Sequence, residues 1–440
     1  MNVRAGVPEP KLHRPSVPGV TIGVLAAGFW LVYGISRGAT GYGDSASYIA
    51  LADAISRGLT VDTVRAPGYP LFIAFCRGLA ALLGTDELRV LVVAQVILCA
   101  GLSTYLVYDI GWRLTQRRSV GTIAALLMAA DVDLQHFTSA VVSESLSVAL
   151  AVGSLWLRIR DQSWRRAAWL IAALVLTRPN LVFLPLAFAV GEAVRTRRIL
   201  GALRPLWPTA VVTGVWLVGT VLRGGDPLTA SEYFGPLHAF GKVYESKLWR
   251  EIPDAGEREV VADAKRRGLD VYQAAAAVAD APGGWKNLAS VASDVVRVDP
   301  IGYLRACVDV VPRELRQRTY WPRGTQSWGR SARFGERFSW MERWWRPVYH
   351  TAFYGSFPLF LGLLALAWLN GLGWPGAVRA MRDTLVPFVA VLFFSVAMLS
   401  LGVEEVARLA LSFHPVNGLV WALALGRTWE ALRVRASQPA

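Results

Sequence analysis

Apolar stretches of bilayer length, separated by short arginine-rich loops, recur along this chain and limit its folds more than any other feature. A run of about 17–25 apolar residues crosses the hydrocarbon core as a helix, because in lipid every backbone polar group must be satisfied within the segment. The 440 residues are 54% hydrophobic, more apolar mass than a soluble domain of this length needs. The formal charge of +14 would suggest nucleic acid on a soluble protein. Here the Lys and Arg residues cluster in short loops between apolar runs, the pattern of cytoplasmic loops, so a nucleic-acid partner is not expected. Three cysteines, Cys76, Cys99 and Cys307, with no Cys-x-x-Cys spacing, argue against a disulfide framework or a thiolate metal site.

Threading starts with Arg4, Lys11 and Arg14 inside, ahead of a first span at about 19–36 that reads as an uncleaved signal anchor. A polar segment, 37–66, follows outside. Residues 67–83 are apolar but broken by Arg77 and Gly78, and are expected to enter and leave on the outer side or to lie along it. Span 88–112 returns to Arg113, Arg117 and Arg118. Spans 120–135 and 141–157 lead back to Arg158, Arg160, Arg165 and Arg166. A tight pair, 167–177 and 180–194, turns at Arg178-Pro179. Span 206–222 runs outward, and 347–370, 384–401 and 409–425 complete the chain. Every strongly basic short loop then falls inside. The expected fold is an all-α integral membrane protein, a bundle of about ten transmembrane helices with amphipathic helices on its outer face. Both termini are cytoplasmic in this threading, and the protein belongs in the plasma (inner) membrane.

Three parts follow: an N-terminal module (1–222) with its first outer loop (37–66), a large extracytoplasmic helical region (223–346), and C-terminal helices with a basic tail (347–440). Within the middle region, 255–267, 271–281, 285–297 and 300–316 read as helices, with Pro282-Gly283-Gly284 as a break. Its end mixes Trp with Arg, as an interfacial belt does and as a platform for sugar rings or lipid phosphates would.

The threading gathers ionisable residues on the outer side: Asp44, Arg65, Asp131, Asp133, Glu144, Arg178, Glu404, Glu405, Arg408 and His414. Such residues at membrane depth are costly and commonly functional. In the segment after the first span, Tyr48, Leu51, Ala52, Ile55 and Leu59 form one helical stripe, expected to lie on the outer membrane surface. Asp44 at its start suits two roles, helix cap or general base. Arg65 suits headgroup snorkelling or phosphate binding. Glu144 suits a helix–helix bond or the orientation of an acceptor, and Arg178 a cap or a phosphate contact. Glu404 and Glu405 can hold Arg408 one turn away. His414, before Pro415, suits packing or a place in the site. Asp131, Asp133 and His136 have the makings of a weak metal site or of a solvated helix end.

These residues carry a resemblance. The acidic segment after the first span followed by R-x-PGYP (Arg65 to Pro70, with Tyr69 inside it), then SAVVSESLSVAL, LTRPNLVFLPLAF and VEEVARLALSFHPVNGLV, resembles in order the motifs of the GT-C superfamily of membrane glycosyltransferases. The nearest likeness is to the branch of protein O-mannosyltransferases and lipid A aminoarabinose transferases. It covers about 1–200 and 345–425. It implies a polyprenyl-phosphate sugar donor, an inverting transfer to an extracytoplasmic acceptor hydroxyl, and Asp44 as base. Arg408, Arg178 and Arg65 would hold the donor phosphate, and Glu144, Glu404, Glu405, Tyr69 and His414 would orient acceptor and site. Ser45 and Ala46 follow Asp44, where relatives often pair acids, so a metal cofactor is not implied. The acceptor, whether protein, lipid or glycan, is not fixed by the residues. Two other readings stay open: a transporter or flippase of a lipid-linked substrate, and a noncatalytic scaffold of envelope assembly in which Asp44 is dispensable.

Overall fold

A computed structural model of the chain describes residues 16–42, 44–58, 65–161, 164–196, 203–204, 206–222, 229–280, 286–316, 327–328, 338, 340–345, 415, 418–423 and 425–426. The described elements are helices apart from one two-residue strand pairing. Helix α1 (Val17–Arg37) stops at Gly38, whose φ of +73° suits glycine. Strand β1 (Ala39–Thr40), α2 (Ser45–Ser56) and α3 (Gly68–Leu83) follow. Helices α4 (Glu87–Gln95) and α5 (Ser103–Thr115) are joined by a π-helical stretch, Val96–Leu102, into one rod of 29 residues. Next come α6 (Arg118–Ala130), the short α7 (Val132–His136), α8 (Glu144–Asp161), α9 (Trp164–Thr177), α10 (Phe183–Thr196) and α11 (Trp207–Leu222).

Small residues let these helices approach closely. A Cβ on Gly19 would meet the Tyr108 ring at 2.6 Å, and one on Gly23 the Gly101 carbonyl oxygen at 2.9 Å. Near the other end of α1, Gly34 faces Val92 and Val96. Helix α1 therefore runs antiparallel to the 87–115 rod. Helices α5, α6, α8 and α9 enclose one apolar core; α1, α2, α3 and α4 enclose a second, which Phe338 and Met341 join.

The expected ten-span bundle is overturned. Among the described residues two helices are long and apolar enough to cross a membrane, Val17–Arg37 and Glu87–Thr115. Gly68–Leu83, Arg118–Ala130 and Trp207–Leu222 are apolar but shorter. The expectation fails for a physical reason: apolar runs in the sequence continue across helix ends. The 120–135 run is cut at Asp131, whose side chain accepts from Leu134 N (3.0 Å) and starts α7. Helices α9 and α10 have 14 residues each, below the roughly 20 that a bilayer requires. The expected spans 347–370 and 384–401 lie outside the described residues.

The stripe of α2 is also corrected. Tyr48, Leu51 and Ala52 are buried against α3 and the second core rather than laid on a membrane surface. Exposed apolar side chains instead line α1 (Val24, Leu25, Val32), α3 (Leu71, Phe75, Leu82) and α11 (Val215, Val218, Leu222).

Beyond α11 a further helical unit has its own core: α12 (Thr229–Glu245), α13 (Ala255–Arg266), α14 (Val271–Ala279), α15 (Lys286–Val298) and α16 (Pro300–Arg316). Asp270 and Gln273 form a capping box on α14, and Asp254 caps α13. Strand β2 (Ser327–Trp328) then returns to pair with β1.

Candidate functional site

The first loop is fixed before its acid is placed. Thr40 accepts from Val141 N (3.0 Å) through its carbonyl, and its hydroxyl donates to Ser139 O (3.3 Å). The Ser45 hydroxyl accepts from Tyr42 N (2.8 Å) and donates to Val141 O (2.8 Å). Thr40, Tyr42 and Ser45 are thus stitched, directly or through one another, to the buried segment 137–143 that leads into α8.

Asp44 occupies the cap position of α2 but makes no side-chain cap. Its carboxylate instead takes a short charge-assisted bond from Arg65 Nη2. Arg65 Nε donates to Ser47 Oγ (3.2 Å), and the guanidinium lies over the Tyr48 ring, 5.5 Å from its centre. Both charged side chains keep roughly a fifth of their surface open, 20% for Asp44 and 24% for Arg65. They can therefore meet a ligand.

A second pair stands deeper. Arg178, in extended backbone where α9 ends, places Nη2 3.4 Å from Glu144 Oε1. Both side chains are almost wholly buried. Glu144 is the first residue of α8, where the helix dipole favours a carboxylate.

Tyr48 links the two pairs. Its hydroxyl donates to Ser143 Oγ (3.4 Å), beside Glu144. Burial, and then the negative charges of Glu144 and Asp44, push the phenol above its ordinary pKa, so it stays a donor. The Tyr48 ring meets Tyr69 edge-on at 5.0 Å. Tyr69 donates to Gln95 Oε1 (3.1 Å), whose amide nitrogen donates to Thr138 O and Ala140 O (3.0 and 2.9 Å).

The motifs themselves touch. A Cβ on Gly68 would stand 2.7 Å from the backbone of Leu176 and Thr177. Only glycine lets the PGYP turn seat on the end of α9, next to Arg178.

Of the residues singled out in the sequence, Asp44, Arg65, Tyr69, Glu144 and Arg178 come together here. Glu404, Glu405, Arg408 and His414 lie outside the described residues. The weak metal trio takes other work. Asp131 caps α7, and His136 lies against the Arg37 guanidinium, with Tyr33 Oη 3.2 Å from its Nδ1 and Tyr42 Oη 3.0 Å from its Nε2. A cation there would face that guanidinium. No group of three potential metal ligands occurs among the described residues.

Sequence reasoning missed Arg37, Tyr33, Tyr42 and Gln95. Arg37 sits at a span end and reads as an ordinary flanking charge, yet it is buried. Gln95 stands inside an apolar run, and a lone amide in such a run was the available signal. Neither family models nor curated proteins give any match to the chain.

Proposed function

We propose that this protein is a membrane glycosyltransferase that moves a sugar from a polyprenyl-phosphate donor to an acceptor hydroxyl with inversion. The observation that supports it most is the meeting of Asp44–Arg65 with Glu144–Arg178 through Tyr48, where the PGYP turn seats on Leu176 and Thr177 at the end of α9. Two exposed-side and two buried-side charges of both signs suit a reaction that removes one proton and builds negative charge on a phosphate.

In this reading Asp44 accepts the acceptor hydroxyl proton as the oxygen attacks the anomeric carbon. The new C–O bond forms as the bond to phosphate breaks, and the polyprenyl phosphate leaves with the electron pair. Arg65 carries both sides of the chemistry. It is paired with Asp44, and a donor phosphate would compete with that carboxylate for the guanidinium. Tyr48 and Tyr69 hold the floor of the site, and Glu144 fixes Arg178. The site faces the extracytoplasmic side of the plasma membrane, with lipid donor entering laterally.

The test is sugar transfer from a panel of labelled polyprenyl-phosphate sugars in membranes carrying wild type or Asp44→Asn. One donor should be consumed by wild type, and the variant should be slower by about 10²-fold or more while still binding it. Equal rates would remove Asp44 from the chemistry. Wild-type membranes that bind one of these lipids without consuming it would move the transporter reading ahead, and membranes that bind none would move the scaffold reading ahead.

A further inference from the structure

Helix α16 leaves an apolar stripe uncovered. Ile301, Leu304 and Val308 are 70%, 59% and 59% exposed, and Val298, just before the helix, is 56% exposed. The spacing of three and four residues puts the first three on one face. The opposite face is spent on the unit's own core, where Cys307 is buried and Tyr303 and Ala306 pack. Asp299 caps the helix through Gly302 N (2.8 Å), so the stripe begins at a well-formed helix start.

The surroundings of the stripe select its occupant. Arg305 is exposed and, at 100° per residue, borders the stripe, where a long cation can reach a lipid phosphate while the apolar residues sink. The unit is tethered at both ends to apolar helices. Six residues separate Leu222 of α11 from Thr229, a reach of at most about 25 Å. Ten residues separate Arg316 from Ser327, which pairs with the strand at the end of α1, a reach of at most about 40 Å. The end of α1 is the end of a candidate span. The 317–346 segment carries seven arginines against two glutamates, and five tryptophans. Trp340 and Trp344 are exposed, and Trp345 Nε1 donates to Ala130 O at the end of α6. Tryptophan and arginine together favour the headgroup level.

We infer that α16 lies in the plane of an anionic bilayer, with Ile301, Leu304 and Val308 sunk into the headgroup–acyl boundary and Arg305 at the phosphates. The helical unit is thereby held against the membrane as a roof beside the site. This rests on the chain being embedded in a membrane as proposed above.

The experiment uses the full chain in nanodiscs containing anionic lipid. Nitroxide labels are placed singly by Ile301→Cys, Leu304→Cys and Val308→Cys; the native cysteines are buried. Collision with oxygen, which concentrates in lipid, is compared with collision with a water-soluble nickel chelate. Val24→Cys on α1 reports the membrane reading, and Glu259→Cys on the open face of α13 reports water. The expected result is an oxygen-to-nickel ratio several-fold higher at 301, 304 and 308 than at 259. Ratios equal to that at 259, with Val24→Cys lipid-exposed, would overturn the inference alone. A water-like ratio at Val24→Cys would overturn the membrane reading and the inference with it. Dipolar broadening between copies at 304, without oxygen exposure, would assign the stripe to a second copy of the chain and overturn the lipid seat.

Discussion

At the residue scale, the behaviour of Asp44 shows how position and role separate. Its place before α2 makes it a natural cap, yet the backbone at φ −78°, ψ −19° is already helical and the carboxylate turns to Arg65. A cap needs extended backbone to bring its oxygen over the first free N–H groups, as Asp254 and Asp270 do. The deeper pair behaves differently from the open one. Glu144→Ala removes a buried carboxylate facing a buried guanidinium, and should cost about 3–5 kcal/mol of stability by chemical denaturation. Asp44→Ala, at an open pair, should cost about 1 kcal/mol or less. Equal losses would mean that the two pairs do not differ in solvation as drawn. The acidic and basic members of the site were legible in the sequence because charges in an apolar chain are conspicuous. Tyr48 was legible only as an apolar stripe member, because a tyrosine's ring and hydroxyl are read by opposite criteria. The burial of Arg37 had no local signal, since it depends on His136, 99 residues away.

At the element scale, α3 is seated by one glycine and carries another that touches nothing. Gly68→Ala places a Cβ 2.7 Å from backbone atoms of Leu176 and Thr177, which cannot swing aside. It should lose about 1–3 kcal/mol and shift the Arg65 and Arg178 turns apart. Gly78→Ala, with open space around its Cβ and helical backbone, should gain about 0.5–1 kcal/mol. Thermal melts of the two variants should therefore move in opposite directions. The outer helical unit has its own check. Burial raises the Tyr303 phenol to about 12. Below pH 10 the phenol is protonated whether folded or not, so stability is intact. As pH rises from about 10 to about 12 only the unfolded chain ionises, and the unit loses stability. Tyr303→Phe should flatten that decline in circular dichroism against pH, and an unchanged profile would remove Tyr303 as its cause. The helices of this unit were legible from their composition and from the break at Pro282-Gly283-Gly284 in the sequence; their caps, Asp254 and Asp270, were not singled out there. The apolar helices were not bounded as well. Asp131, Asp133 and Gln135 interrupt the 120–135 run, and the backbone breaks at the first of them, where the expected span ran on.

At the scale of the whole molecule, the antiparallel run of α1 against the 87–115 rod sorts charge between two ends. Gly34 lies against Val92 and Val96, so Arg37 and the Asp44 loop stand at the end where the rod begins; Gly19 lies against Tyr108, near the end that carries Arg113 and Arg117. Helix α8 starts at Glu144 and finishes with Arg158 and Arg160, and α9 starts beside Arg165 and Arg166 and finishes at Arg178. The acid-bearing end is therefore the site end. The other end is dominated by arginine, with Asp109 bound by Arg113 (2.5 Å) and Trp156 (2.7 Å), and Glu192 3.6 Å from Arg158. This sorting survives the loss of the ten-span count, because it depends on helix direction rather than on how many helices are long enough to cross. If the chain spans a membrane as proposed above, the positive-inside rule puts the arginine-rich end in the cytoplasm. A membrane-impermeant thiol reagent on sealed, right-side-out vesicles should thus modify Asp44→Cys at once, and Arg117→Cys only after permeabilisation. Labelling in the opposite order would invert the molecule. Simultaneous labelling of both without permeabilisation would mean that α1 and the 87–115 rod do not cross the bilayer, and the exposed apolar faces of α1, α3 and α11 would then have to be covered by protein.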